Sequence, residues 1–339
     1  MIDVLVVDDS AFMRKVLTDI LKEDPEINMI YTVSSGEEAI EQIALLRPDV
    51  VTMDVEMPGM DGIKTVKRIM EKYPTPIIMI SAYTKEGAEK TIEALEAGAI
   101  DFVEKPGGTI SLNIRDVGQE IVEKIKIANE ANLPGKRKEL KLTRSPTLKL
   151  GKGTVIIIAA STGGPRAIDF LLSQLPHDFP SPIIVVQHMP PGFTGTFAKR
   201  LNEHCKIKVK EASDGDHLHA GEALIAPGGF HLELNENNRI KLNKKPPLHG
   251  VRPSADITMN SVADIFNGNI IGIILSGMGR DGSIGARNIK RKRGTIIAQD
   301  MDTSVVHGMP KAALETGSVD YILPLGKIAD KLIEIVNNV

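Results

Sequence analysis

The chain has no tryptophan and a single cysteine, Cys205. One thiol can build neither a disulfide framework nor a thiolate metal cluster within one chain. That usage suits a reducing compartment, and a cytoplasmic location is the expectation. Aromatics make up only 4% of the residues, so any core must be aliphatic. No apolar run approaches the roughly 18 residues of a membrane span, so no insertion into a bilayer is expected. The opening MIDVLVVDDS lacks the basic start and small-residue cleavage site of a secretory signal. Nor does one sign of charge dominate: the formal net is −3, which argues against a nucleic-acid partner.

What is present points to two domains. There are 339 residues, 42% of them apolar, enough for two cores. Residues 1–132 carry 14 Lys and Arg against 25 Asp and Glu, residues 133–150 six against one, and residues 151–339 21 against 18. An acidic first part thus faces a mildly basic second part across a basic connection, and the two would attract weakly. The first part alternates short apolar runs (2–7, 27–33, 50–53, 76–80, 102–103) with helical patterns (11–22, 37–46, 64–72, 88–97, 111–132). Five βα units read as a five-stranded parallel sheet of flavodoxin-like type. Runs such as VLVV and PIIMI suit strands buried on both faces. LPGKRKELKLTRSPTLKL, residues 133–150, is basic, holds two prolines and shows no period, so it reads as a linker. Alternation then resumes with strands at 154–160, 183–187, 223–226, 270–275, 295–299 and 321–323. Helices are expected at 166–175, 194–202, 254–266, 282–293 and 328–338. A hairpin at 231–234 and 240–242 flanks the turn NENN. The second part is therefore expected to be a doubly wound α/β domain with a mostly parallel sheet and a β-hairpin. The expected division is 1–125, then a helix end and linker over 126–151, then 152–339.

In a parallel α/β sheet, functional groups collect at the carboxyl ends of strands. Asp8 and Asp9 end the first strand, Asp54 the third and Ser81 the fourth, and Lys105 follows the fifth. Three clustered carboxylates repel one another unless a cation lies among them, and Mg²⁺ is a suitable hard ion. Beside it a carboxylate can attack a phosphoryl donor, with Lys105 and Ser81 placed to meet the phosphoryl group. Taken singly, Asp9-Ser10 could be a helix cap and Asp54 a turn residue. Together VDDS, MDVEMPGMDG, SAYT and EKP resemble the response-regulator receiver family. That resemblance implies phosphorylation of Asp54 by a histidine kinase, with Mg²⁺ held by Asp8, Asp9, Asp54 and the backbone carbonyl of Glu56.

The second part carries three reactive groups near strand ends. TVIIIAASTGGP places Ser161 between a strand and a helix, with small residues two positions either side, a variant of the nucleophile elbow. PIIVVQHMP places His188 at the next strand end, and IIGIILSGMGRDG places Asp281 after a third. Hydroxyl, imidazole and carboxylate compose a serine-hydrolase triad. The alternatives remain open on residues alone. Ser161-Thr162 could cap a helix, and His188 has seven competing histidines. Gly277–Gly282 also matches G-x-G-x-x-G, with Asp300 and Asp302 about 20 residues on, as in a dinucleotide site.

The motifs IAASTGGP, VVQHMPPGFT, ALIAPGGFH, RPSADI and LSGMGRDG resemble the catalytic domain of the chemotaxis protein-glutamate methylesterase (CheB) family, over most of 152–339. The resemblance implies phosphorylation-activated hydrolysis of glutamate γ-methyl esters on chemoreceptor cytoplasmic helices, with deamidation of receptor glutamines as a second activity. It assigns Ser161 as nucleophile, His188 as general base and Asp281 as the acid that orients it. The N–H of Met278 becomes an oxyanion donor, and Thr162 lies against the site. Ester hydrolysis needs no cofactor. Arg280 stands where a small residue is expected. The unphosphorylated receiver is expected to cover the catalytic cleft, and phosphorylation to alter its surface near Tyr83 and Lys105. RNIKRKRG, residues 287–294, reads either as basic residues complementing a helix end or as a contact for acidic partners.

Overall fold

A computed structural model of the chain describes residues 1–82, 84–105, 114–133 and 153–338. Most of the expected linker, as well as Tyr83, Pro106 and the start of the 111–132 stretch, lies outside them. The chain divides into two compact units, Met1–Leu133 and Pro134–Val339. Among the described residues no helix is long and apolar enough to cross a membrane.

The first unit runs β1 (Ile2–Val7), α1 (Ala11–Lys22), β2 (Ile27–Val33), α2 (Gly36–Leu46), β3 (Val50–Asp54), α3 (Gly62–Lys72), β4 (Ile77–Ser81), α4 (Lys85–Ala97), β5 (Asp101–Glu104) and α5 (Ile114–Asn129). All strand pairs are parallel, in the order β2-β1-β3-β4-β5. β3 and β4 are buried along their whole length, as expected of central strands covered on both faces. Helix starts follow short polar side chains. Ser10, Ser35, Asp61 and Thr84 each accept a backbone N–H of the first turn, satisfying one donor that the helix leaves free. Helix α1 packs on α5, and α3 packs on both α2 and α4.

The second unit contains β6 (Thr154–Ala160), α6 (Gly164–Ser173), β7 (Ile183–Gln187), α7 (Phe193–His204), β8 (Lys208–Glu211), β9 (Glu222–Ile225), β10 (His231–Leu234), β11 (Ile240–Asn243), α8 (Ala255–Ile265), β12 (Asn269–Ile274), α9 (Ser283–Arg291), β13 (Thr295–Gln299), α10 (Gly308–Glu315), β14 (Tyr321–Leu323) and α11 (Leu325–Asn337). Seven parallel strands lie in the order β14-β13-β12-β6-β7-β9-β8, and β10 and β11 form a separate antiparallel hairpin. From central β6 the chain first winds outward through β7 and later returns through β12. The crevice between β6 and β12 is thus the topological switch point, where open α/β sheets place their sites. Strands β6 and β7 are wholly buried. Helix α9 ends with Lys290 and Arg291 in its last turn, and Lys290 pairs with Asp320.

Two elements depart from the sequence reading. Strand β8, KVKE, is a sheet edge with both lysines exposed, so only Val209 carries its apolar signal. Helix α10, not among the expected helices, opens Gly-Met-Pro. Proline costs nothing in a first turn, where its missing N–H would have no partner.

Candidate functional site

On the first unit, the ends of β1, β3, β4 and β5 converge as the sequence predicts. Asp8 and Asp54 are buried, and Asp9 is exposed. Lys105 Nζ lies 2.7 Å from Asp54 Oδ2 and 3.2 Å from Asp8 Oδ2. The loop is braced by Arg14, whose guanidinium donates to the carbonyls of Asp8 and Asp9. Burial pushes the Asp54 carboxyl above its usual range despite the opposing Lys105, and the nearby Asp8 charge adds to the rise. Burial would lower the Lys105 ammonium, but Asp54 and Asp8 outweigh it and hold it above its usual value. One oxygen from each of Asp8, Asp9 and Asp54 lies within 4.8 Å of the others. Three clustered carboxylates, an all-oxygen donor set, fit a hard divalent cation. Asp9 and Asp54, with Glu56, Ser81 and Lys105, line one open pocket. Ser81 Oγ donates to the Gly87 carbonyl at 3.3 Å and accepts from Thr91 at 2.7 Å. Ser10 does cap α1, as its ordinary reading holds.

On the second unit, the hydroxyl, imidazole and carboxylate come from the ends of β6, β7 and β12. Ser161 leaves β6 in a sharp turn. Its carbonyl accepts the Gly164 N–H at 2.7 Å, and Gly163 adopts φ +75° before α6. A Cβ at Gly163 would meet Val305 Cβ at 2.6 Å, so both conformation and space require glycine there. The Ser161 N–H donates to the Ser276 carbonyl at 3.0 Å, which ties the β6 turn to the loop after β12. That loop presses closely: a Cβ on Gly277 would come within 2.9 Å of Ser161 Cβ and N. Thr162 is buried beside it, and Met278 is 43% exposed on the same loop. Arg280 is exposed.

His188 Nε2 lies 2.8 Å from Asp281 Oδ2. Asp281 is buried, and its carboxylate caps α8. Oδ1 accepts from the Ser254 hydroxyl at 2.7 Å and the Asp256 N–H at 2.9 Å, and Oδ2 also accepts the Ala255 N–H at 2.6 Å. Burial alone would raise this carboxyl. The hydrogen bonds from His188, Asp256 and Ser254 outweigh it and hold the group below its usual range. Asp256 returns the arrangement, accepting the Gly285 N–H of α9 at 2.7 Å and facing His249 Nε2 at 3.2 Å. Burial, with the Asp281 charge nearby, raises the Asp256 carboxyl. The glycine run 277–282 is therefore a turn carrying a helix-capping carboxylate. Asp300, one of the two dinucleotide candidates, accepts both the Thr303 N–H and hydroxyl in a local turn.

Sequence reasoning missed the supports. Ser254 stands in RPSADI, where an N-terminal helix signal was visible but its partner was not. Gln187 and Gln299, buried at strand ends, show themselves only as polar residues closing apolar strands.

A receiver-type carboxylate pocket on one unit and a hydrolase-type side-chain set at the switch point of the other define a class, the receiver-linked hydrolases. The family profile described as CheB methylesterase matches residues 156–332, and that of the response regulator receiver domain matches residues 4–114. The protein-glutamate methylesterase/protein-glutamine glutaminase of Pyrococcus abyssi is 50% identical, over 99% of this chain and 94% of that protein. Its counterpart from Thermotoga maritima is 48% identical, over 99% and 98%. The crystal structure of the Thermotoga maritima CheB methylesterase catalytic domain matches at TM-score 0.53 and 47% identity, over 54% of this chain and 99% of that one. The chain belongs to the CheB methylesterase family, in the form that carries an N-terminal receiver domain.

Proposed function

We propose that the chain is a protein-glutamate methylesterase and protein-glutamine glutaminase of chemotaxis, acting on chemoreceptors in the cytoplasm and switched on by phosphorylation of its receiver. The observation that carries the reading is the His188–Asp281 hydrogen bond beside Ser161 at the sheet's switch point. Since Nε2 is given to Asp281, Nδ1 is the ring atom left to act as base. Ser161 Oγ attacks the side-chain carbonyl while Nδ1 takes its proton. Asp281, kept ionised, fixes the tautomer and offsets the imidazolium charge. Backbone N–H groups of Met278 and of the turn before α6 face the developing oxyanion, with Thr162 packed against them. His188 then gives its proton to the departing methanol, or to ammonia from an amide. Water, deprotonated by His188, attacks the glutamyl ester of Ser161 and releases glutamate and the free hydroxyl.

In the receiver, Asp54 is the phosphoryl acceptor and a histidine kinase the donor. Asp8, Asp9, Asp54 and the Glu56 carbonyl are the groups that hold Mg²⁺. Bound there, the ion neutralises phosphoryl charge. Lys105 exchanges part of its pairing with Asp54 for the phosphoryl oxygens, and Ser81 turns from Gly87 toward them. The receiver spans 1–125 and the esterase 152–339, with a helix end and linker over 126–151 between them. Methanol release from methyl-esterified receptor tests the whole reading. A small phosphodonor with Mg²⁺ should raise the wild-type rate and leave Asp54→Asn at its basal rate. Equal stimulation of both forms contradicts control through Asp54.

A further inference from the structure

Strands β6 and β7 pair up to Ala160 and Gln187, and the last backbone rung is the His188 N–H to the Ala160 carbonyl at 3.2 Å. Beyond it the two chains part. Ser161 turns into α6, while His188 is followed by Met189 and two prolines, which have no N–H to donate. Backbone pairing alone therefore leaves the separation of Ser161 and His188 unset. The Gln187 side chain supplies the missing tie. Its Nε2 donates to the carbonyl of Ser161 at 3.0 Å and to that of His188 at 3.1 Å. Both amide hydrogens are spent, one on each residue. The Ser161 carbonyl is also held by the Gly164 N–H at 2.7 Å, so it is pinned from two sides.

Two features argue that this glutamine serves position rather than stability. It is 2% exposed, and its Oε1 is buried with no hydrogen-bond partner among the described residues. An acceptor left so is a cost to folding that an apolar side chain of the same length would avoid. The neighbouring backbone is also fitted to it: a Cβ on Gly164 would come within 2.2 Å of Oε1. We propose that Gln187 is a positioning residue that sets the distance and angle between Ser161 and His188 by holding both backbone carbonyls with one amide. The inference rests on Ser161 and His188 being nucleophile and base.

The test compares the full-length wild type with Gln187→Met and Gln187→Glu. Methionine keeps the length and removes both donors. A displacement of about 1 Å costs on the order of 10²-fold in rate. Gln187→Met should therefore lose roughly 10- to 100-fold in kcat for methanol release with KM within about twofold, measured well below its melting temperature. Phosphonylation of Ser161 by a fluorophosphonate, read by mass spectrometry, should slow in parallel, because it uses the same pair without receptor. In Gln187→Glu the neutral acid restores one of the two hydrogen bonds. Its activity relative to wild type at the same pH should rise as pH falls through the glutamate pKa. A folded Gln187→Met with wild-type kcat and wild-type labelling overturns the proposal. If that variant does not fold, Gln187→Glu decides, and a ratio independent of pH overturns it. A wild type that takes no phosphonate at Ser161 instead sinks the underlying reading of the site.

Discussion

Replacing Asp281 with asparagine puts the described geometry under its most complete strain. Each carboxylate oxygen accepts two hydrogen bonds, and each pair includes a backbone N–H of α8 that cannot rotate away. An amide offers one oxygen and one NH₂, so either orientation sets a donor against a donor. With the NH₂ toward His188, the ring must present a lone pair at Nε2. Its proton then moves to Nδ1, and it can no longer accept from Ser161. With the NH₂ toward Ser254, the hydroxyl can turn to accept, but the Asp256 N–H is left unpaired and the imidazolium loses its counter-charge. The wrong tautomer costs about 10⁴-fold in rate in comparable triads. An unpaired buried donor costs ~1–3 kcal/mol, and losing a negative charge at a helix N-terminus adds ~0.3–1 kcal/mol. A domain of this size loses roughly 2–4 °C per kcal/mol, so the catalytic unit should melt about 3–16 °C lower. Because folding depresses the Asp281 pKa from its usual 3.8, its stabilising contribution is full above that value and fades as pH falls through the folded pKa. The difference in midpoint should therefore narrow in acid. Methanol release and thermal melts across pH measure both arms. A variant with wild-type melting and wild-type rate would refute the reasoning.

Gly277→Ala should lose on the order of 10²-fold in kcat, because its Cβ would press on Ser161 N and Cβ at 2.9 Å and displace the nucleophile; steady-state kinetics of the folded variant at saturating substrate checks it. Mg²⁺ at a hundredfold excess over its dissociation constant should stabilise the receiver by about 2.7 kcal/mol, and Asp9→Asn should diminish that shift in a melting assay. Without Mg²⁺, Asp54→Asn should raise the receiver's midpoint at neutral pH. Burial raises the Asp54 pKa, so its charged form opposes folding; the gain should vanish as pH falls below the folded pKa and the wild-type carboxyl takes up its proton.

The parallel architecture was legible because buried strands write their apolar runs directly into the sequence, as in TVIIIAA and PIIMI. Positions at the ends of those strands then pointed to Asp8, Asp54, Ser161 and His188. Strand β8 was hidden because an edge strand buries few side chains, and α10 because glycine and proline mark turns as readily as first helical turns. What sequence could not supply was the pairing of distant polar groups. Ser254 and Asp281 are 27 positions apart, and Gln187 reaches Ser161 across 26. No periodicity encodes such contacts; they exist only after the sheet has brought strand ends together. The same limit explains the glycine run at 277–282. Its spacing fits a dinucleotide turn, and only the direction of the Asp281 carboxylate, into α8, separates the two meanings.

The central claim is that Ser161 is the nucleophile of a receptor-directed esterase. Its most direct test is release of labelled methanol from methyl-esterified receptor by phosphorylated wild type and Ser161→Ala. The account predicts a loss of roughly 10³-fold or more in the variant, with some residual rate from the oxyanion donors and binding, and an unchanged melting curve. Methanol release by a folded Ser161→Ala within a few-fold of wild type would contradict it.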